Sequence, residues 1–459
     1  MVSLLSSNHS KILIRLFYDE KTEHSGRAIV NFFLDLSSSP GFYPVDETVS
    51  ILPVNFWYHF YDEVTSIDSS RVEQIFVPIF SRLLEILIVK LKMAPNFHRN
   101  WSSNEREQYF YYRQEISDTV ICCYRILGAN MTSYLLASAK NTDNETVESI
   151  LFFFDCICDY VSVKDMPAVT FLTQIFPLLN ISDQNREISL KLVGKYCDLI
   201  MELYDEATKL KTVDYFVEIS TISLQNTNFC AIAISSLHNL CKSIMTDENQ
   251  LVGEWLKIME KVVIRSTECF NNESLDYHSR LEALTCAGII LSCQSRDAIL
   301  TYLNALLTPR LLKMQNLFSS NSNQSEIPQL LFQFDVISTL IASLKKKSSK
   351  NLASPTTTPN NESPVYLVMA QSLDLFSTIL DASRCDEKIA EKLCDLFAQC
   401  LTCLHLDARN LIAKISGILL KIFPPYETAI DVVGKLLLIF SCGATSENVT
   451  IPLFQIPSC

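Results

Sequence analysis

Four residues in the segment CDLFAQCLTCLHLD have side chains that suit a metal site: Cys394, Cys400, Cys403 and His405. A Cys-x-x-Cys pair is half of a zinc-binding pattern, because zinc prefers thiolate and imidazole ligands. The segment has helical periodicity, and on an unbroken helix these four side chains cannot converge on one ion. Buried cysteine also packs as a small apolar residue. We therefore expect free thiols in a core and no bound metal.

A second chemical possibility is the carboxylate pair Asp155 and Asp159 in FFFDCICDY. Paired carboxylates can act as general acid and general base. Residues four apart lie on one face of a helix, and acids at this spacing usually form a solvated face. We favour the solvated face over a catalytic pair.

Glycine and histidine motifs are missing from the whole sequence. The 9 glycines lie too far apart for a phosphate-binding loop, a dinucleotide fingerprint or a nucleophile elbow. No H-E-x-x-H is present, and the 7 histidines are scattered. We expect no catalytic residue, no cofactor and no enzymatic activity.

The elements that carry these residues are predicted to be helices. In 183–206, for example, Ile188, Leu192, Tyr196, Leu199 and Leu203 recur at three- and four-residue steps and form one apolar stripe. Capping boxes are predicted at Ser70 with Glu73, Ser102 with Glu105, and Thr142 with Glu145. The predicted helices cover 26–37, 50–65, 71–94, 103–127, 129–140, 145–162, 165–178, 184–205, 208–225, 228–245, 248–267, 276–295, 297–318, 327–345, 363–381, 386–404, 407–422 and 427–441.

These helices pair off at about 40 residues per pair, the period of HEAT-type repeats. The predicted fold is therefore all-α, a right-handed HEAT-repeat solenoid that occupies 1–445. The polar, proline-containing stretch 345–364 is predicted to be a long loop between helices. Residues 446–459 lack helical periodicity and are predicted to be an irregular tail.

Charge and composition narrow the classes of partner. The formal net charge is −13 at pH 7, and the pI is near 5.1. Nucleic acid is not expected as a direct ligand, since phosphate contacts need a basic surface, whereas basic proteins are suitable partners. No run of about 18 uncharged apolar residues occurs, so membrane insertion is not expected. The 16 cysteines are expected to be reduced thiols in cytosol or nucleus.

Three segments together carry a family resemblance: GFYPVDETVSILPVNFWYHFYDEV (41–64), VPIFSRLLEILIVKL (77–91) and WSSNEREQYFYYRQEISDTVICCYRILGA (101–129). They resemble the importin-13-like karyopherins of the importin-β superfamily. The residues that carry the signature are Tyr43, Pro44, Phe56, Trp57, Tyr58, Trp101, Ser117 and Asp118. We expect them to pack between repeats rather than to touch a partner, with Pro44 fixing a turn and Asp46 or Ser50 capping the next helix.

The resemblance implies a nuclear transport receptor, or a fragment that corresponds to its central part. Such receptors hold protein cargo inside an acidic superhelix, exchange it under control of the GTP-bound small GTPase Ran, and bind Phe-Gly nucleoporins. They shuttle between cytoplasm and nucleus. The resemblance also implies that the family's N-terminal region, its principal Ran contact, has no counterpart in this sequence, and we expect the sequence to correspond to the central part of such a receptor. The alternative is a HEAT-repeat scaffold that holds proteins together without transport.

One segment, DLIMELYDEATKLKTVDYFVE (198–218), is the candidate partner-binding surface. Its carboxylates are opposed only by Lys209 and Lys211. Part of this charge could face basic cargo, although a merely solvated face is the plainer interpretation. We call its six carboxylates the acidic surface: Asp198, Glu202, Asp205, Glu206, Asp214 and Glu218.

Overall fold

The computed structural model describes residues 10–67, 72–95, 97–139, 143–179, 181–245, 253–319, 327–344, 363–383, 386–423 and 427–441. Within these ranges the regular structure is helical and no strand occurs. The predicted all-α class is confirmed. The chain divides into two compact units, Met1–Ser220 and Thr221–Cys459.

The first unit is built from short and medium helices. They are α1 (Ser10–Leu16), α2 (Glu20–Ser37), α3 (Val54–Thr65), α4 (Val77–Lys90), α5 (Phe97–Asn100), α6 (Ser103–Leu127), α7 (Ala129–Ser138), α8 (Asn144–Ile157), α9 (Met166–Thr170) and α10 (Asp183–Met201). A wide π-helical turn, Val72–Phe76, leads into α4, and another, Phe171–Ile175, follows α9. Helix α11 (Glu206–Ser223) begins in this unit.

Helices α4, α6, α8 and α10 stack in sequence and form one layer of the first unit. Polar contacts fix the stack as well as apolar ones. The Tyr196 hydroxyl on α10 donates to the Phe154 carbonyl on α8 at 2.7 Å, and Ser149 on α8 donates to the Ile88 carbonyl on α4 at 3.1 Å. The predicted capping box at the start of α6 is confirmed, because Ser102 and Glu105 each bond the other's backbone N–H.

Helices of the second unit stack in two layers. Its helices are α12 (Cys230–Ile244), α13 (Glu254–Asn271), α14 (Tyr277–Leu291), α15 (Arg296–Ser319), α16 (Ile327–Ser343), α17 (Pro364–Ala382), α18 (Glu387–Leu404), α19 (Ile412–Ile422) and α20 (Thr428–Ser441). Helices α12, α14, α16, α18 and α20 stack in one layer, while α15, α17 and α19 stack in the other. Stacking of every second helix is what tandem helix pairs produce when each pair buries its apolar face on the next.

Several predicted boundaries need correction. The helix expected at 50–65 begins only at Val54, and neither Asp46 nor Ser50 caps it. Asp143, rather than Thr142, caps α8 by accepting from the Thr146 N–H at 2.7 Å. The helix expected at 165–178 is divided into α9, a π-helical turn and a 3-10 turn that contains Pro177.

Two predicted segments fall on parts of the chain that the structure does not describe. The predicted loop at 345–364 lies outside the described residues except for 363 and 364. The whole of the predicted tail at 446–459 lies outside them as well. Ser70, the first residue of one predicted capping box, lies outside them too.

Helix α17 is long and apolar enough to cross a membrane by length and composition alone. Buried core helices pass the same test, and α17 buries Met369, Leu373 and Phe376 in the core of the second unit.

Candidate functional site

The acidic surface is centred on the turn between α10 and α11. Helix α10 ends at Met201, earlier than predicted, and α11 begins at Glu206. Glu202, Asp205 and Glu206 are therefore exposed together around one turn, with Asp198 exposed on the last turn of α10. The structure thus brings four of the six predicted carboxylates to one end of this helix pair.

The remaining two carboxylates, Asp214 and Glu218, lie farther along α11. With a rise of about 1.5 Å per residue, Glu218 is about 18 Å along the helix from Glu206. Asp214 is half-buried, and Glu218 is exposed. Burial, together with the charge of Glu218, raises the pKa of the neighbouring Tyr215 to about 12. These two acids form the far edge of the acidic surface rather than part of its centre.

Two of the central carboxylates also hold the helix start in place. Asp205 accepts from the Thr208 N–H at 3.3 Å and from the Thr208 hydroxyl at 2.5 Å, and these bonds lower the pKa of Asp205. Glu206 lies 2.6 Å from the Nζ of Lys209, whose side chain is buried. A partner that took up Asp205 or Glu206 would therefore compete with bonds that stabilise the start of α11.

The turn also presents an aromatic ring that the sequence did not single out. Tyr204 is 96% exposed, between Glu202 and Asp205. The predicted helix 184–205 includes Tyr204 as one more residue of its amphipathic pattern. Only the early end of α10 places it in the turn.

The signature segment 41–64 is tied to the core by a buried ion pair. Lys90, the last residue of α4, lies 2.7 Å from Glu47, and their side chains are only 5% and 7% exposed. Lys90 also donates to the carbonyl oxygens of Ser39 and Gly41, both at 2.8 Å. Three contacts with the Lys90 ammonium group therefore hold the loop between α2 and α3 in place.

Glu47 holds the turn that precedes α3, a helix whose start has no side-chain cap. Its carboxylate accepts from the backbone N–H groups of Val49 and Ser50 and from the Ser50 hydroxyl. Burial alone would raise the pKa of Glu47, but the bonds from Lys90 and Ser50 hold that pKa below its ordinary value. Ser50 in turn bonds Tyr112 on α6 at 2.8 Å, and the Tyr112 ring stacks on Tyr43.

The aromatic signature residues divide into buried and exposed sets. Phe56 and Trp57 are 1% exposed, and the Trp57 indole N–H donates to the Ser37 hydroxyl at 2.9 Å. Trp101 packs edge-on against Tyr109. Tyr58 differs from the expectation of a packed residue, since it is 51% exposed on the outer side of α3.

The last four signature positions have mixed surroundings. Tyr43 and Pro44 are half-buried in the loop and joined by a cis peptide bond. Ser117 on α6 is half-buried and donates to the Gln114 carbonyl within its own helix, and Asp118 is exposed. Neither of these two α6 residues lies in the core.

The cysteines of the predicted metal candidate lie along α18. Cys394 and Cys400 are buried, Cys403 is half-buried, and His405 follows the helix with a φ of 49°. In the described part of the chain, no three His, Cys, Asp or Glu residues are placed to hold one metal ion. Burial raises the pKa of Cys394 to about 11 and of Cys400 to about 12, so both are protonated thiols near neutral pH.

Asp155 and Asp159 make separate contacts. Asp155 lies 2.8 Å from Lys195 on α10 and is 16% exposed, so it joins two helices rather than forming a solvated face. Helix α8 ends at Ile157, and the exposed Asp159 lies beyond it, where it accepts from the Cys158 thiol at 3.7 Å. Asp155 is therefore an ion-pair partner between two helices, and Asp159 is a surface acid after the end of α8.

Comparison with known proteins places the signature in context. Residues 95–130 match the family model described as "Importin 13 repeat". Importin-13 of Gallus gallus is 24% identical over 95% of this chain and 46% of its own length. Importin-13 of Homo sapiens is 23% identical with the same coverage. The resemblance expected from 41–64, 77–91 and 101–129 is confirmed, and the chain spans about half the length of these relatives.

Solved structures show the same architecture. The structure titled "Importin13 cytosolic state" superposes with a TM-score of 0.79 at 19% identity, over 97% of this chain and 50% of that one. Kap95p in a structure with RanGDP gives a TM-score of 0.59 at 13% identity, over 95% and 51% of the two chains. Kap95 in a complex with Nup1 gives 0.56 at 13% identity, over the same shares. The predicted HEAT-repeat solenoid class is thereby confirmed.

Proposed function

We propose that this chain acts in nucleocytoplasmic protein transport, as an importin-13-like receptor or the central part of one. The observation that carries the proposal is the similarity to importin-13 across 95% of the chain, combined with a shared helical-repeat fold. In this proposal the chain is not an enzyme, and it shuttles between the cytoplasm and the nucleus.

The acidic surface binds basic regions of protein cargo in this proposal. With a net charge of −13, the chain attracts positively charged partners over a distance set by salt, about 8 Å at physiological ionic strength. The exposed turn at Glu202 adds a local concentration of that charge, and the exposed Tyr204 adds an aromatic contact. Tyrosine is common at binding hot spots because it offers a large apolar face and a hydroxyl.

Two further partners are proposed from the structural relatives. Kap95p is seen with RanGDP and Kap95 with Nup1. We propose that GTP-bound Ran regulates cargo release here, and that Phe-Gly nucleoporins carry the chain through the pore. A scaffold without transport would share the repeats and the acidic surface, but it would not respond to Ran or cross the pore.

Passage through the nuclear pore tests the proposal. The 52.1 kDa chain, fused to several fluorescent proteins so that passive diffusion is slow, is added to permeabilised cells. Accumulation at the nuclear rim and entry beyond that of the fluorescent partner alone are expected. Exclusion at the level of the partner alone would refute the transport function and favour a scaffold.

Charge reversal tests the acidic surface separately. Asp198→Lys with Glu202→Lys reverses two exposed acids four residues apart on α10 and the turn that follows. Glu391→Lys with Asp395→Lys is a matched control, with the same spacing and charge change on the exposed side of α18. Affinity for a labelled lysine-rich peptide should fall several-fold for the first pair only. The size of that fall should decrease at high salt, because salt screens the charges. Equal losses for both pairs would show that only net charge matters.

A further inference from the structure

Two arginines in the second unit converge on the same aromatic ring. The guanidinium carbon of Arg310, on α15, lies 4.3 Å from the centroid of Phe270. That of Arg280, on α14, lies 5.9 Å from the same centroid and 4.6 Å from that of Phe332 on α16. Three helices and the end of α13 thus gather two cations around two phenylalanines. We call this group the arginine site.

The arginine site has no acid of its own among the described residues. Arg280 Nε donates to the Phe270 carbonyl at 2.9 Å, and Arg310 donates to the side-chain oxygens of Gln333 at 3.2 Å and Asn271 at 3.4 Å. Every one of these acceptors is neutral. The Nε of Arg310 is buried with no hydrogen-bond partner in the described part of the chain.

Two other arginines of this acidic chain pair with acids. Arg113 lies 2.8 Å from Glu148, and Arg265 lies 2.8 Å from Glu268. The acid beside the arginine site, Asp335, is already engaged: it lies 2.7 Å from Lys392 and also accepts from the Tyr277 hydroxyl. Arg280 and Arg310 thus lie beside each other with neutral acceptors only, in a chain with 51 acids and 38 basic residues.

This arrangement is electrostatically costly without a counter-charge. Burial and the charge of Arg280 both lower the pKa of Arg310. Guanidinium groups over aromatic faces gain a cation–π attraction, which offsets part of the repulsion. Stacking on the rings also fixes the planes of the two guanidinium groups. A planar guanidinium group can donate two parallel hydrogen bonds to one oxyanion.

We propose that the arginine site binds an oxyanion carried by a peptide segment of a partner protein. Arg280 and Arg310 are both half-buried, so each retains an accessible part. The oxyanion is a carboxylate of an acidic side chain or a phosphate on a modified one, and the two sources share the same recognition chemistry. A peptide suits the site better than a nucleic acid, because a net charge of −13 opposes an extended polyanion. The arginine site is distinct from the acidic surface and would attract partners of the opposite charge.

Three labelled peptides with identical flanking residues test the proposal by fluorescence anisotropy with the full chain. The first has three central glutamates, the second has one central phosphoserine, and the third has glutamines in place of the glutamates. Binding of either anionic peptide, and not of the glutamine peptide, is expected. Arg280→Gln with Arg310→Gln should weaken that binding about tenfold or more, and the double lysine variant should weaken it less, since it keeps charge but not the planar fork.

A matched control and a second measurement keep the test decisive. Lys257→Gln with Arg265→Gln removes two cations of the same unit that already pair with Glu254 and Glu268, and binding should be unchanged. Equal weakening by both double variants, or an oligonucleotide of equal charge binding as tightly, would overturn the proposal. If the arginine variants fail to fold, a photo-crosslinking peptide on the wild-type chain should attach near residues 270–280, 310–319 or 327–333. Attachment elsewhere would also overturn the proposal.

Discussion

Replacing Lys90 by methionine should destabilise the first unit by about 3 kcal/mol, near the lower end of the range for breaking a buried ion pair. The change leaves Glu47, 7% exposed, without its counter-ion, and it removes the donor of the Ser39 and Gly41 carbonyls. The lower end applies because Glu47 keeps its bonds from Val49 and Ser50.

Tryptophan fluorescence during urea or thermal unfolding measures this effect, since two of the three tryptophans, Trp57 and Trp101, lie in the first unit and only Trp255 lies in the second. For a cooperative unit of this size, 3 kcal/mol corresponds to a fall of about 6–12 °C in Tm. Lys92→Met is the control, because Lys92 makes only a 3.9 Å contact with the exposed Asp143. It should cost less than about 1 kcal/mol.

The effect should also depend on pH in a defined direction. The pKa of Glu47 is lowered in the folded chain from its ordinary value of 4.5, so its ionised form contributes stability above that pH. That contribution is lost as pH falls through the lower, folded value. The stability gap between wild type and Lys90→Met should therefore shrink in acid below pH 4.5. A loss under about 1 kcal/mol at pH 7, or a gap that widens in acid, would refute the reasoning.

Three further outcomes follow from buried polar groups. Asp165→Ala should cost about 3 kcal/mol in urea unfolding, because Tyr124 and the Ala168 N–H lose their acceptor and Thr132 loses one of its two. Asp165→Asn should cost less. Trp57→Phe keeps an aromatic ring in the core but leaves the Ser37 hydroxyl without its indole donor; a loss of about 1 kcal/mol or more is expected, and an unchanged stability would show that this hydrogen bond contributes nothing. Cys394 and Cys400 should resist iodoacetamide at pH 8 in the folded chain and react in urea, as read by mass spectrometry, since burial raises their pKa to about 11 and about 12; equally fast labelling of folded and unfolded chain would contradict their burial.

The helices were predictable because their signals are local. The stripe of Ile188, Leu192 and Tyr196 lies within α10 and faces the core, and the box of Ser102 with Glu105 starts α6 as predicted. Both patterns depend only on residues three or four apart, which helix geometry brings together wherever the helix lies.

Contacts between distant segments were not predictable in the same way. Lys90 is the last residue of α4, and nothing near it in sequence shows that the loop from α2 to α3 folds over it. The helix predicted at 50–65 begins only at Val54, because Glu47, paired with Lys90, holds residues 49 and 50 in a turn. The arginine site was missed for the same reason, since Phe270, Arg280, Arg310 and Phe332 are far apart in the chain.

The ion pair between Arg113 and Glu148 bears on how such a chain changes over time. Their side chains are 5% and 3% exposed, and the Arg113 guanidinium lies 4.0 Å from the centroid of Phe152. Loss of either partner leaves an uncompensated buried charge, whereas an apolar pair of similar volume can replace both at little cost. Intermediates with one partner altered are therefore disfavoured, and the two positions should covary among homologues. In an array of similar helices, the same pair also discriminates against α6 stacking on a neighbour other than α8, because a wrong neighbour would leave Arg113 without its acid.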